Sequence, residues 1–155
     1  MRNLRQKFKN QQGFNLIELM IVIAIIALLI GVGIPAYRAM VNNGNETAAV
    51  QSINTIKTLQ ISYAGKHQGK FAPNFDELIK TMQLDERFAG ENPIVNGYIF
   101  KMTVQEASGT KPAFYSINAD PQEGSGTGHY YFDSTLGTTK ATQENRPAKA
   151  DDPSI

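Results

Sequence analysis

The 155-residue chain contains no cysteine, which removes disulfides, zinc-thiolate sites and a cysteine nucleophile from consideration together. Histidine is nearly as scarce. His67 and His129 lie in different segments, without the HExxH-type spacing that puts two ligands on one helix face. No serine sits in a Gly-x-Ser-x-Gly elbow. Gly124, Gly126 and Gly128 form a Gly-rich loop, but no Gly-Lys-Ser/Thr follows and no helix opens after it, so no phosphate cradle is expected. Asp76-Glu77 and Asp85-Glu86 sit at the expected ends of a short helix, where solvated charge accounts for them. Asp120, Glu123 and Asp133 are oxygen donors too few and too scattered to define a calcium loop. No clustered nucleophile and base remains, so the sequence predicts no enzyme, no cofactor and no metal site.

What the chain has is one long apolar run, from Gly13 to Pro35, GFNLIELMIVIAIIALLIGVGIP. Phe14 to Ile34 as a helix spans roughly 31 Å, about the hydrocarbon thickness of a bilayer. A soluble core helix rarely stays apolar on every face for so long. A plain membrane anchor satisfies all of this except Glu18. A charged side chain at bilayer depth costs about 2.5 kcal/mol or more at the helix centre, and somewhat less near an end, so it marks a function with a partner.

The run is preceded by MRNLRQKFKNQQG, with Arg2, Arg5, Lys7 and Lys9 and no acid. That resembles the charged front of a signal peptide, yet no small-x-small cleavage site follows the apolar core. The natural cut point, Gly13, lies before it. Cutting there leaves the helix on the mature protein, with a free amine on Phe14. It also removes four positive charges, taking the chain from +1 to −3. No basic patch survives, so no nucleic-acid partner is expected. The leader charges, set against Arg38 alone just beyond Pro35, predict a cytoplasmic N-terminus.

Basic leader, Gly, Phe, then LIEL with Glu18 four residues after Phe14 resembles the N-terminal signature of type IV pilins and of the type II secretion pseudopilins. The resemblance implies a prepilin peptidase that cleaves between Gly13 and Phe14 and N-methylates Phe14. It also implies that Glu18 acts in assembly, by neutralising the N-terminus of its own or a neighbouring subunit. AAVQSINTIKTLQISY through KFAPNFDELI, and SINADPQEGSGTGHYYFDSTLGT, are similar to the helix, first loop and final hairpin of a group of bacterial pilins. The absence of cysteine departs from the many pilins whose C-terminal loop is closed by a disulfide. Here sheet hydrogen bonds, packing or an ion must hold that loop.

Beyond the run, Gly31, Gly33 and Pro35 make the weakest part of the helix, at about 1 kcal/mol for each glycine and about 3 kcal/mol for proline. A kink where the helix meets water is the simpler expectation; in filaments of this family such a segment can also lose helical structure. From Ala36 to about Lys66 the helix should continue, with Ala49, Ile53, Ile56, Leu59 and Tyr63 as one apolar stripe. Asn42-Asn43-Gly44-Asn45 predicts a bend or frayed turn. Asn45-Glu46-Thr47 matches a glycosylation acceptor pattern, a triplet common by chance. Phe14, Tyr37 and Tyr63 are too far apart along the helix to form a conducting aromatic path within one subunit.

Gly65 and Gly69 should stop the long helix. Asn74 and Glu77 then form a capping box for a short helix near 75–83. After Gly90 the period switches to strands: 98–104 after an Asn96-Gly97 turn, 113–119, 129–133, and a short fourth at 138–142. The fold class is therefore α+β: a long N-terminal helix, membrane-spanning in its first half, with an antiparallel sheet of three to four strands packed on its second half. The expected organisation is a cleaved leader at 1–13, a transmembrane and assembly helix at 14–35 and a globular domain at 36–140. Residues 141–155 should be a flexible polar tail, loose or laid over the surface.

These expectations converge on a structural subunit, a homo-oligomer building a helical filament for adhesion or twitching motility. It would begin as a single-pass inner-membrane precursor, meet an assembly platform there, and end in an extracellular pilus. A pseudopilin of type II secretion, in a periplasmic pseudopilus, shares the same front end. A minor pilin capturing DNA or a surface ligand would need an exposed basic or aromatic stripe, and a membrane-tethered hydrolase would need a nucleophile with its base.

Overall fold

A computed structural model describes residues 13–155; the basic leader residues Arg2, Arg5, Lys7 and Lys9 lie outside them. Helix α1 runs Leu16–Lys66. The chain divides into two units, Met1–Arg38 and Ala39–Ile155. In the first, the side chains that make the run apolar are exposed on every face, as Ile17, Ile25 and Ile34 show. This helix is long and apolar enough to cross a membrane.

Within the second unit, α1 behaves differently because only one stripe is apolar. Ala49, Ile53, Ile56 and Tyr63 are buried, as expected, and the 60-position is taken by Gln60. Leu59, expected in the stripe, is only partly buried at its edge. The helix ends as the glycines predict: Gly69, at φ +81°, donates its N–H to Ala64 O at 2.9 Å. The expected interruption at Asn42–Asn45 does not occur, since α1 is helical throughout. Contacts specific to the fold override weak propensity there. Asn45 Nδ2 donates to Ser125 O at 3.0 Å, and Thr47 Oγ1 donates to Asn43 O at 2.9 Å.

Helix α2 spans Phe75–Met82, with Asn74 as N-cap accepting the Glu77 N–H at 2.8 Å. The capping box is only half made, because Glu77 Oε1 faces the Tyr63 hydroxyl at 3.5 Å instead of reaching back. One 3-10 turn, Glu86–Phe88, then leads into the sheet.

The strands are β1 Ile94–Val95, β2 Tyr98–Gln105, β3 Phe114–Pro121, β4 His129–Asp133 and β5 Lys140–Thr142. They form one antiparallel meander in the order β1-β2-β3-β4-β5. The fold class is α+β as expected, with five strands where three to four were expected. The extra strand is the two-residue β1, which Asn96 and Gly97 fold back onto β2 through φ values of +51° and +76°. Any larger residue at 97 would also drive its Cβ to 2.5 Å from Ser125 Cβ. The alternating positions Tyr98, Phe100, Tyr115, Ile117, Ala119, Tyr130 and Phe132 join the α1 stripe, Phe75, Leu78 and Phe88 in one core.

Of the two forms expected for the tail, the structure shows the one laid over the surface; residues 141–155 are not a loose polar end. Ala148 is buried, and its carbonyl accepts Asn118 Nδ2 at 3.1 Å. Arg146 forks onto Asp152 at 2.6 and 2.9 Å and reaches Glu144 at 2.6 Å. Ala141 donates its N–H to Pro153 O at 2.9 Å. Hydrogen bonds and an ion-pair cluster hold a segment that has no disulfide.

Candidate processing and assembly site

Gly13 to Asn15 carry no regular structure, and α1 begins at Leu16. The expected scissile bond, Gly13–Phe14, therefore lies in a non-helical segment. Phe14 is 91% exposed, and nothing lies within 4 Å of where a Cβ on Gly13 would sit. The first turn is organised by two side chains. Asn15 Oδ1 accepts the Ile17 N–H at 3.3 Å, and Glu18 Oε2 accepts the Asn15 N–H at 3.1 Å. That is the reciprocal pattern of a capping box, in which two otherwise unpaired helix-start donors are satisfied. Asn15 was not singled out from the sequence, although the Asn-x-x-Glu spacing was there to be read. Glu18 also places its charge in the first turn, where the helix dipole favours an anion.

Gly31 and Gly33 have open space around the position of a Cβ, so packing within the chain does not require glycine at either site. Pro35 stands inside α1 with helix on both sides. It has no N–H to give the Gly31 carbonyl four residues back, so one rung of the hydrogen-bond ladder is missing. Residues 31–35 are nonetheless helical.

The other residues weighed from the sequence have local roles. His67 stacks on Tyr63 with ring centroids 3.8 Å apart, and His129 Nδ1 pairs with Asp120 Oδ1 at 2.6 Å. Asp133 is buried, yet its carboxyl is held below the usual range. Burial opposes the charge, and bonds from the Thr135 hydroxyl and N–H, the Tyr131 hydroxyl and the Leu136 N–H outweigh it. Those donors occupy the acceptors a calcium ion would need. Burial, followed by the Asp133 charge, pushes the Tyr115 hydroxyl up to about 12.

The Gly-rich loop spends its amides within the chain. Glu46 Oε1 accepts from Thr127 N at 2.9 Å, Thr127 Oγ1 at 3.2 Å and Gly128 N at 3.2 Å. A carboxylate of α1 therefore takes the Thr127 and Gly128 amides. Asn45, the candidate glycosylation acceptor, has its amide nitrogen engaged with the same loop.

The prokaryotic N-terminal methylation motif matches residues 8–34, which include Gly13, Phe14, Glu18, Gly31 and Gly33. The chain is 46% identical over 50 residues to a fimbrial protein of Pseudomonas aeruginosa, an overlap of 32% of each chain. It is 42% identical over 59 residues to prepilin peptidase-dependent protein D of Escherichia coli K12, covering 38% of this chain and 40% of that one. A third relative, fimbrial protein Q of Moraxella bovis, is 46% identical over 48 residues, 31% of each chain. The chain thus spans about a third of the length of the fimbrial proteins it matches. No solved structure matches. The protein is type IV pilin-like, with the prepilin front end that pilins and pseudopilins share. Its helix is long and apolar enough to cross a membrane, which fits a membrane-anchored precursor.

Proposed function

We propose that this chain is a major-pilin-like structural subunit of a type IV pilus filament. The peptidase cuts between Gly13 and Phe14, methylates the new amine, and leaves a helix that polymerises. The observation that carries this reading is the apolar surface from Leu16 to Ile34, exposed at 58% for Ile17, 68% for Leu28 and 51% for Ile34, within the methylation motif that matches residues 8–34. Such a surface needs lipid around it before assembly and other copies of itself afterwards. Once the helices have left the bilayer, burying each leucine or isoleucine away from water is worth about 1.5–3 kcal/mol. The assembled form is a helical homo-oligomer outside the cell, drawn from the inner membrane by an assembly platform and used for adhesion or twitching.

The test is the intact mass and N-terminal peptide of protein in sheared surface filaments. The expected product begins at N-methylated Phe14, and Gly13→Val leaves the precursor uncut and the filaments absent. A retained leader, or a mature terminus beyond Ile34, overturns the proposal. Correct processing, with the protein confined to a short periplasmic assembly and protein export lost on deletion, assigns it to a secretion pseudopilus instead.

A further inference from the structure

We infer that Asn96 is a site of self-modification, at which the chain slowly converts its own asparagine to aspartate and isoaspartate. The Gly97 backbone nitrogen attacks the Asn96 side-chain amide carbon, and a C–N bond forms. The amide NH2 leaves as ammonia, taking the Gly97 proton, and a succinimide ring closes. Water then opens the ring at either carbonyl, which leaves aspartate or isoaspartate at position 96. Water is the only co-reactant. Asn-Gly occurs twice in the chain, at Asn43-Gly44 and Asn96-Gly97, and the fold sets the two apart.

Asn43 and Gly44 lie inside α1, where the ladder takes each N–H to the carbonyl four residues back. The Gly44 nitrogen is therefore engaged. Asn96 and Gly97 are instead the two residues of the turn between β1 and β2. The ladder closes with Val95 opposite Tyr98, and among the described residues the Gly97 N–H has no backbone acceptor. Glycine also brings no Cβ to shield the attacking nitrogen. Asn96 is exposed. Asn45, Asn74 and Asn118 have their side-chain amides hydrogen-bonded, whereas Asn96 has no such bond among the described residues. Asn92 precedes Pro93, which has no N–H to attack with.

The turn has no slack for the product. Isoaspartate routes the main chain through the side-chain carbon and so adds a methylene between β1 and β2. Gly97 O already accepts the Gln122 N–H at 2.8 Å, and a Cβ on Gly97 would meet Ser125 Cβ at 2.5 Å. β1 is the element that gives way. Its ladder is only Ile94 with Ile99 and Val95 with Tyr98, extended by the Phe100 N–H, which donates to Pro93 O at 2.9 Å. Either product also adds a negative charge to a groove that Asn96 lines with Asp85 and Arg87. Arg87 already pairs with Asp85 at 3.0 Å, so the new carboxylate competes for it. A head thus carries a chemical record of its age. The site lies within Ala39–Ile155 and does not depend on the filament assignment.

The experiment incubates the full-length chain in detergent at mildly alkaline pH and follows both Asn-Gly peptides by mass spectrometry, with aspartate and isoaspartate products resolved. Asn96 is expected to react at least about tenfold faster than Asn43 in the same folded molecule. In concentrated urea the two rates should converge, because the reacting pair is the same. Hydrogen exchange at the Phe100 amide should accelerate as isoaspartate accumulates. Asn96→Gly keeps a turn that both glycines accept, removes the reacting amide, and should hold Phe100 exchange constant through the incubation. Freshly purified Asn96→Asp carries the charge without the methylene and should exchange at Phe100 as wild type does. The inference is overturned if Asn96 reacts no faster than Asn43 in the folded chain. A ratio that persists in urea overturns it in favour of the flanking sequence, and unchanged Phe100 protection in isoaspartate-bearing protein overturns the release of β1.

Discussion

The Glu18 carboxylate accepts the Asn15 backbone N–H at 3.1 Å, while the Asn15 side chain accepts the Ile17 N–H at 3.3 Å. Glu18 therefore has work to do before any neighbour arrives: it helps start the helix two residues beyond the expected cut. Removing the asparagine cap alone costs about 1 kcal/mol of helix start. Removing the charge alone leaves shape intact and takes away the counter-charge for the Phe14 amine. Glu18→Gln is expected to insert and be cleaved, while filament yield falls sharply. Asn15→Ala is expected to blur the helix start and reduce assembly only modestly. Cleaved protein in membranes, measured against sheared filaments, separates the two; equal filament yield from Glu18→Gln and wild type removes the carboxylate from assembly.

Gly31, Gly33 and Pro35 are helical in the free chain, and no neighbour demands a small residue there. Their weakness should therefore matter during assembly. The triple change to alanine favours helix by several kcal/mol from propensity. Stable protein should accumulate in the membrane while filaments become scarce or altered. Normal filaments containing a continuous helix through residue 35 would show that the segment matters only at the bilayer surface.

Gln60 is fully buried, with Oε1 accepting Ala72 N at 2.8 Å and Nε2 donating to Ala72 O at 3.0 Å. One side chain thus closes both backbone groups of the loop that leaves α1. Gln60→Leu keeps the volume and strands both groups away from water, at about 1–3 kcal/mol each. The expected outcome is a clear fall in the thermal unfolding midpoint of the full chain in detergent. A midpoint equal to wild type would mean that the loop finds other partners.

The tail ion pair has a pH signature. Hydrogen bonds from Arg146, then from the Lys149 N–H, hold the Asp152 carboxyl down at about 2, against an unfolded value of about 3.9. A carboxyl lowered on folding contributes stability that is full above about pH 4 and is lost as pH falls through about 2. Hydrogen exchange at the Ala141 and Ile155 amides should therefore accelerate between those values. Asp152→Asn should show the faster exchange already at neutral pH. Protection that persists at pH 2 would place the tail's anchor elsewhere.

The sequence carried the fold's outline because its signals were local and strong. The all-round apolar run, the stripe of Ile53, Ile56 and Tyr63, and the Asn96-Gly97 turn each dictate structure with neighbours close in the chain. What escaped it was decided over distance. Asn42–Asn45 reads as a break, yet it is helical because Asn45 and Glu46 bond a loop some eighty residues away. Gln60 gives no local sign of its burial, which depends on the arrival of Ala72. The tail reads as either loose or laid over the surface, because Arg146 and Asp152 declare nothing until the chain turns back on itself. At the proposed processing site Gly13, Phe14 and Glu18 stand out from their order in the chain.

The return of the tail onto β5 has a further consequence. Ala141 N–H is taken by Pro153 O, Lys140 bridges to Ser154, and the Ile155 N–H is taken by Thr139 O. The last strand therefore does not present a bare row of donors and acceptors, the template on which sheets of separate molecules join edge to edge. The segment that covers this edge includes Pro153, which has no N–H to offer a newcomer. If heads are displayed at high density, as in the proposed filament, this closure on the chain's own end guards against amyloid-like pairing between neighbours. A truncation before Pro153 would make aggregation, rather than unfolding, the first symptom.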